Sequence, residues 1–97
     1  TEGEYNTAIG NGSLLGNTTG NYNVASGYQS LYNNTDGGNN VATGPFALFN
    51  NTTASFNVAT GRSALQSNTE GTENSALGSS LYLSHNSCIL IEPYSSD

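Results

Sequence analysis

The residue types that could support nucleophilic or metal chemistry lie together only near the end of this 97-residue chain. His85 and Cys88 are three residues apart, with Ser84 and Ser87 beside them. A Cys–His pair can form a nucleophile and its base, but the base also needs an orienting group, and the sequence offers no candidate. Two ligands are too few for structural zinc, which takes four. We therefore expect no catalytic centre, no metal and no cofactor, and an incidental or structural role for both residues.

Charged residues and glycines also give no catalytic or phosphate-binding pattern. Asp36 is the only Asp before residue 97, whereas calcium-binding solenoids carry an Asp in every glycine-rich repeat. Gly12 and Gly16 lack the following Lys of a phosphate loop. The formal net charge is −6 and Arg62 is the single Lys or Arg, so the clustered cations that nucleic acids and anionic membranes require are missing. No apolar run approaches the roughly 20 residues of a spanning helix. The sequence predicts neither nucleic-acid binding nor membrane insertion.

A segment with Asn first, Ala third and Gly fifth recurs five times at a constant spacing of 23 − 6 = 17. A chain this polar could be a disordered linker, but a linker has no reason to keep Ala and Gly in register. A fixed period this short indicates stacked coils. The residues that define the repeat are Asn6, Ala8, Gly10, Asn23, Ala25, Gly27, Asn40, Ala42, Gly44, Asn57, Ala59, Gly61, Asn74, Ala76 and Gly78.

Further columns appear when positions are counted from the first Asn of each unit. Glycine and asparagine at these densities break helices, and a unit of this length accommodates two strands of about five residues with two turns. Strand alternation points Asn, Ala and Gly to one side and Val and Thr to the other. We predict an all-β, parallel β-solenoid, a β-roll or β-helix of 17-residue coils, with an inner Ala layer, a Leu column and Asn amide ladders. These columns are position 9 (Leu14, Leu31, Leu48, Leu65), position 12 (Asn17, Asn34, Asn51, Asn68) and position 15 (Gly20, Gly37, Ala54, Gly71).

The repeat divides the chain into two parts. Residues 1–78 form the tandem array, and residues 79–97 depart from it, with Ile89-Leu90-Ile91 as the most apolar run. Terminal units of solenoids are commonly atypical because they cover an open core. We predict a cap, or a junction to a further domain, at 79–97.

A second set of apolar residues predicts assembly. Val24, Val41 and Val58 form a column opposite the Ala layer, and aromatic residues recur at positions 10 and 17. Columns of Ala and Leu bury little area in a domain of this size. We therefore predict a homotrimer whose axis is lined by the valine column.

The tandem pattern Asn-x-Ala-x-Gly-x-x-(Ala/Ser)-Leu-x-x-Asn-Thr-x-Gly resembles the shaft repeats of phage and other viral tail fibres or tailspikes. It is also similar, with a longer turn, to the head repeats of trimeric autotransporter adhesins, where Asn/Ser-x-Ala-x-Gly units build a left-handed parallel β-roll. The resemblance covers residues 1–78. It implies a trimeric, extracellular fibre exposed on a virion or a cell surface.

Three functions from different classes follow. The first is a structural and adhesive fibre segment that presents a surface to a host receptor or glycan. The alternative is an ice-binding solenoid, because Thr and Val recur beside the Ala column. The third, a glycan lyase, needs clustered acids or bases that the sequence lacks. The candidate sugar-stacking residues are Tyr22, Tyr28, Tyr32, Phe46, Phe49 and Phe56.

Overall fold

The computed structural model describes residues 3–78 and 89–91 and forms an all-β parallel β-solenoid with about 4 turns of about 17 residues. Its six strands make one sheet in which each strand pairs in parallel with the next along the chain. The predicted fold class is therefore confirmed. The strands are β1 (Thr7–Ile9), β2 (Val24–Ser26), β3 (Val41–Thr43), β4 (Val58–Thr60), β5 (Ser75–Leu77) and β6 (Ile89–Ile91).

The strand register aligns the alanines of successive units in one column. Ala8 pairs with Ala25, and the column continues through Ala42, Ala59 and Ala76. The last four are buried, as a thin inner layer requires. Ala8 is the exception to the predicted buried column: it is exposed, and its strand β1 pairs with β2 at one edge of the sheet.

The strands are shorter and fewer than the sequence pattern predicted. Within residues 3–78 each coil has one three-residue strand, where the sequence predicted two longer ones. Three positions per coil interrupt extended backbone, because non-glycine residues there have φ near +60°. These left-handed positions are 7 (Gln29, Phe46, Ser63), 9 (Leu14, Leu31, Leu48, Leu65) and 17 (Tyr5, Tyr22, Asn39, Phe56, Glu73).

The leucine column combines a left-handed backbone with complete burial. The φ angles of Leu31, Leu48 and Leu65 lie between 51° and 53°, and all three side chains are fully buried. A left-handed residue costs roughly 1–2 kcal/mol. Burying a leucine side chain stabilises by about 1.5–3 kcal/mol, which offsets that cost. The backbone amide of Leu31 also donates to Ala47 O in the next coil at 3.0 Å, so the turn belongs to the intercoil ladder.

The asparagines of position 12 form the predicted side-chain amide ladder. Asn34 Nδ2 donates to Asn17 Oδ1 at 2.9 Å, Asn51 Nδ2 to Asn34 Oδ1 at 2.9 Å, and Asn68 Nδ2 to Asn51 Oδ1 at 3.2 Å. Each amide also donates to the backbone carbonyl three residues later, as Asn34 does to Gly37 O at 3.0 Å. The ladder therefore ties successive coils together and closes a turn within each coil.

The asparagines of position 1 form a different network, so the amide-ladder prediction is wrong for this column. Asn23 Oδ1 accepts the backbone amide of Asn40 at 3.0 Å, and Asn23 Nδ2 donates to Gly37 O at 2.8 Å. The side chain thus bonds mainly to backbone beside the start of the strand, and two members of the column also donate to position-12 amides, as Asn57 Nδ2 does to Asn51 Oδ1 at 3.4 Å. Among the described residues, no buried side-chain nitrogen or oxygen lacks a hydrogen-bond partner.

The sheet continues beyond the array into the segment predicted as a cap or junction. Ile89 pairs with Ser75, so strand β6 follows β5 at a spacing of 89 − 75 = 14, which is shorter than the period of the array. A connection shorter than one full repeat therefore still places strand β6 in register with β5. The rest of residues 79–97 lies outside the described residues.

Candidate functional site

The strands present two outward columns, which we call the sheet face. Ala side chains point into the coil, so the residues on either side of each Ala point outward. The exposed fractions are 38% for Val24, 41% for Val58, 52% for Leu77 and 63% for Ile9. Three consecutive coils carry a valine at position 2, at a spacing of about 4.8 Å, and none of the three valines is buried in the single chain. The sheet face comprises position 2 (Thr7, Val24, Val41, Val58, Ser75) and position 4 (Ile9, Ser26, Thr43, Thr60, Leu77).

A second surface lies on the turn segments after the strands, and we call it the aromatic cluster. It consists of Tyr28, Tyr32, Phe46 and Phe49. The Tyr32 and Phe49 rings are stacked, with centroids 5.1 Å apart and planes 6° apart. Phe46 meets Phe49 edge-on at 5.8 Å and Tyr28 edge-on at 5.5 Å. Four of the six predicted sugar-stacking residues are thus brought together, across two neighbouring coils.

A cation lies against this cluster. The guanidinium carbon of Arg62 is 5.7 Å from the Phe46 ring centroid, within the range of a cation–π interaction. Arg62 is exposed and forms no ion pair with the acidic residues of 3–78. It occupies position 6, as Tyr28 does two units earlier. Sequence reasoning missed Arg62 as a surface partner, although its shared position with Tyr28 was a usable signal.

The other two predicted sugar-stacking residues lie elsewhere, at position 17. Tyr22 stacks on Tyr5 with centroids 5.0 Å apart and planes 8° apart. Phe56 occupies the same position two units after Tyr22, and Asn39 separates them. Tyr22 and Phe56 are both more than half exposed. The six residues therefore do not form one continuous platform.

Most of the repeat-defining residues form the framework of the coils, although Ala8 and Gly10 of the first unit are exposed. Asn23, Asn40, Asn57 and Asn74 are fully buried, and their amides bond to backbone and to neighbouring amides. The columns of Asn, Ala and Gly hold the turn segments and strands at fixed positions along the stack. A substitution in these columns would therefore affect ligand binding only by displacing the turn segments and strands that carry the exposed side chains.

His85 and Cys88, the candidates for nucleophilic and metal chemistry, lie outside the described residues. Asp36 accepts a hydrogen bond from Thr19 Oγ1 at 2.9 Å, which gives it a turn-stabilising contact. Within 3–78 and 89–91, no three His, Cys, Asp or Glu residues are grouped as a metal site would require. That same part of the chain contains no apolar helix of membrane-spanning length.

Comparison with protein-family models, with curated proteins and with solved structures finds no match to this chain.

Proposed function

We propose that this chain is a non-enzymatic, structural segment of an adhesive fibre on a virion or cell surface, assembled as a homotrimer. The observation that carries the proposal is the sheet face, where apolar side chains stand in register on a stack of equivalent coils. The valines Val24, Val41 and Val58 occupy three consecutive coils, with Thr7 and Ser75 at the same position on either side. A contact made at one coil is therefore repeated at the next.

The sheet face, rather than a shortage of core, is the reason for assembly. The coil interior is filled by its own residues, since Leu31, Leu48 and Leu65 are fully buried. The exposed apolar side chains lie on the outer surface of the coils and include Val24 and Val58. Covering them with a neighbouring chain stabilises by about 25 cal/mol per Å² of apolar area buried. Three chains around one axis cover every valine column in the same way.

The coil stack gives such a fibre its geometry. Each coil advances by about 4.8 Å, and additional units lengthen the rod without altering the columns. Surface groups on a trimeric rod are presented in several copies. Weak contacts that engage simultaneously can raise avidity by about 10²–10⁴. Adhesion can therefore arise from low individual affinities.

Sedimentation equilibrium of the purified chain tests this proposal. The wild type is expected at three times the chain mass of 10.0 kDa. Val41→Asp places three like charges around the axis, so it should abolish the trimer. Asn39→Asp adds the same charge at an exposed position outside the strands and should leave the trimer intact. A monomeric wild type, or a stable trimer of the Val41→Asp chain, would overturn the proposal.

A specific observation also favours ice binding as a second candidate. Val41 pairs with Val58 and Thr43 with Thr60, so two neighbouring coils present the same Val and Thr side chains on the sheet face, where they can order water. Ile9 and Leu77 interrupt the regularity at the two ends of the array. Thermal hysteresis separates the candidates. A monomer whose hysteresis disappears in Val41→Asp supports ice binding, and a trimer without hysteresis removes it.

A further inference from the structure

We propose that the aromatic cluster and Arg62 bind a carboxylate-bearing sugar of an acidic glycan. This inference rests on the proposed adhesive function and names the ligand class of one surface of the fibre.

The aromatic rings provide preformed stacking surfaces. Tyr28 is 48% exposed, while Tyr32, Phe46 and Phe49 are half-buried and held by contacts among themselves. The C–H face of a pyranose ring is apolar and can cover an exposed aromatic ring. Rings that are already positioned lose little side-chain freedom when a ligand binds. The cluster therefore favours a flat ligand with an apolar face.

The charge distribution selects an anionic sugar at this place. Arg62 is the only Lys or Arg in a chain of formal net charge −6. Its guanidinium lies over Phe46 and makes no ion pair within residues 3–78. A guanidinium presents two parallel N–H donors that match the two oxygens of a carboxylate. An acidic sugar is repelled by the chain in general, and the one attractive centre is beside the stacking rings.

Amide side chains occur next to the aromatic residues in sequence and at equivalent positions of adjacent units. Asn33 Nδ2 donates to Asn50 Oδ1 at 3.3 Å, at the position immediately after Tyr32 and Phe49. Gln29 and Gln66 occupy the same positions as Phe46 and Phe49 in adjacent units. Amides can donate to and accept from sugar hydroxyls. Stacking faces, a cation and hydroxyl partners therefore occur together on neighbouring coils.

Nuclear magnetic resonance titration of the ¹⁵N-labelled chain tests the proposal with paired probes. Hexagalacturonate is compared with its methyl ester, and sialyllactose with lactose, so each pair differs in the carboxylate or the acidic sugar. We expect amide shifts confined to residues 28–33, 46–50 and 62–66 with at least one acidic probe, and much weaker shifts with its neutral partner. The two acidic probes distinguish a uronate from a sialic acid. Equal binding of acidic and neutral probes, or no binding by either acidic probe, would overturn the proposal.

The repeat supplies matched variants for this titration. Arg62→Asn introduces the residue found at the same position as Asn11 and should weaken acidic-probe binding about two- to fivefold. Phe49→Gln introduces the residue found as Gln66 and should weaken binding about two- to tenfold. Tyr22→Asn introduces the residue found as Asn39, removes an exposed ring outside the cluster and should change nothing. An equal effect of Tyr22→Asn would show that binding is not localised at the cluster.

Sedimentation of the same samples keeps the two proposals separate. A trimer that binds no acidic probe retains the fibre proposal and rejects the glycan site. If the chain is a monomer that binds the acidic probes, the glycan site is retained and the trimer is rejected. Loss of self-association in Phe49→Gln would show that the cluster contacts a second copy of the chain instead of a glycan.

Discussion

At the residue scale, buried asparagines occupy much of the interior of this molecule and stabilise it through hydrogen bonds between their amides. The asparagine amide both donates and accepts, so a column of identical residues can satisfy itself from coil to coil. Asn51 shows the full pattern: its Nδ2 donates to Asn34 Oδ1 and Ala54 O, and its Oδ1 accepts from Asn68 Nδ2. Aspartate lacks the donor, and leucine lacks both functions. The interior is thus polar and still satisfied.

Asn51→Ala tests this ladder. The substitution leaves Asn34 Oδ1 without its ladder donor in a buried site and opens a small cavity, so the free energy of unfolding should fall by at least about 1–3 kcal/mol. Asn50→Ala is the matched control, because Asn50 is half-buried and the same position holds Gly16 and Ser67 in other units. It should cost less than about 0.5 kcal/mol. Urea denaturation of both variants measures the difference, and equal losses would contradict the ladder's importance.

The glycine of position 5 is also required by local geometry. Gly44 has φ of 121°, and a Cβ atom there would lie 2.8 Å from the backbone C and O of Gly61. Conformation and space both exclude a side chain, which explains why the sequence repeats glycine at this place. The left-handed leucines could not be predicted in the same way. Their residue type disfavours positive φ, and only the surrounding turns and burial impose it.

At the scale of the element, the coil depends on small residues beneath the strands. The Ala column leaves space for one thin layer, and Ala25, Ala42 and Ala59 have no exposed surface. Strand alternation places their neighbours Val24, Val41 and Val58 on the opposite side. Val41 and Ala42 are adjacent, so an outward position and a fully buried one follow each other directly along the strand.

Ala42→Leu and Thr53→Leu compare the buried layer with an exposed position outside the strands. Leucine at position 42 overpacks the inner layer, so the free energy of unfolding should fall by about 1–3 kcal/mol or more. Leucine at position 53 enlarges an exposed side chain away from the sheet face and should change the free energy of unfolding by less than about 0.5 kcal/mol. Thermal unfolding followed by circular dichroism compares them. An unchanged melting temperature for Ala42→Leu would count against the buried layer.

The coils were predictable from the sequence to the extent that columns of identical residues dictate them. The strict spacing of the Asn, Ala and Gly columns predicted in-register parallel strands, and alternation predicted the buried Ala layer. The predicted strand length was wrong, because left-handed residues interrupt the extended backbone at three positions per coil, and most of these residues are not glycine. Strand β6 was not predicted either. Ile89–Ile91 enters the sheet before a full period has passed, so the period alone could not align it.

At the scale of the whole molecule, surface function depends on which columns happen to be adjacent. Six aromatic residues were proposed from the sequence as sugar-stacking candidates, and only the coil geometry separates Tyr22 and Phe56 from the aromatic cluster. Residues about one period apart become neighbours, as with Phe46 and Arg62 or Tyr28 and Phe46. A linear search for clustered residues does not detect such pairs. The repeat period is the scale on which this molecule's surfaces must be compared.

The same period should govern the stability of the entire stack. Deleting residues 40–56 removes one unit and joins Asn39 to Asn57, so each column continues across the junction. The free energy of unfolding should then fall only by about 1–2.5 kcal/mol, the contribution of one unit at about 0.05–0.15 kcal/mol per residue. Circular dichroism should retain the same β spectrum per residue.

Deleting residues 40–55 is the control, because it removes one residue fewer and leaves a coil that is one residue too long at the junction. That coil must either bulge or shift its strand by one place, which would turn the Ala layer outward. A shift of the strand interrupts both asparagine networks, since their bonds join residues one full period apart, and a bulge leaves an unpaired residue at the junction. The shorter deletion should therefore be the more destabilising one in urea. Equal stability of the two deletion variants would mean that the stack tolerates slippage and that the register of the repeat does not hold it together.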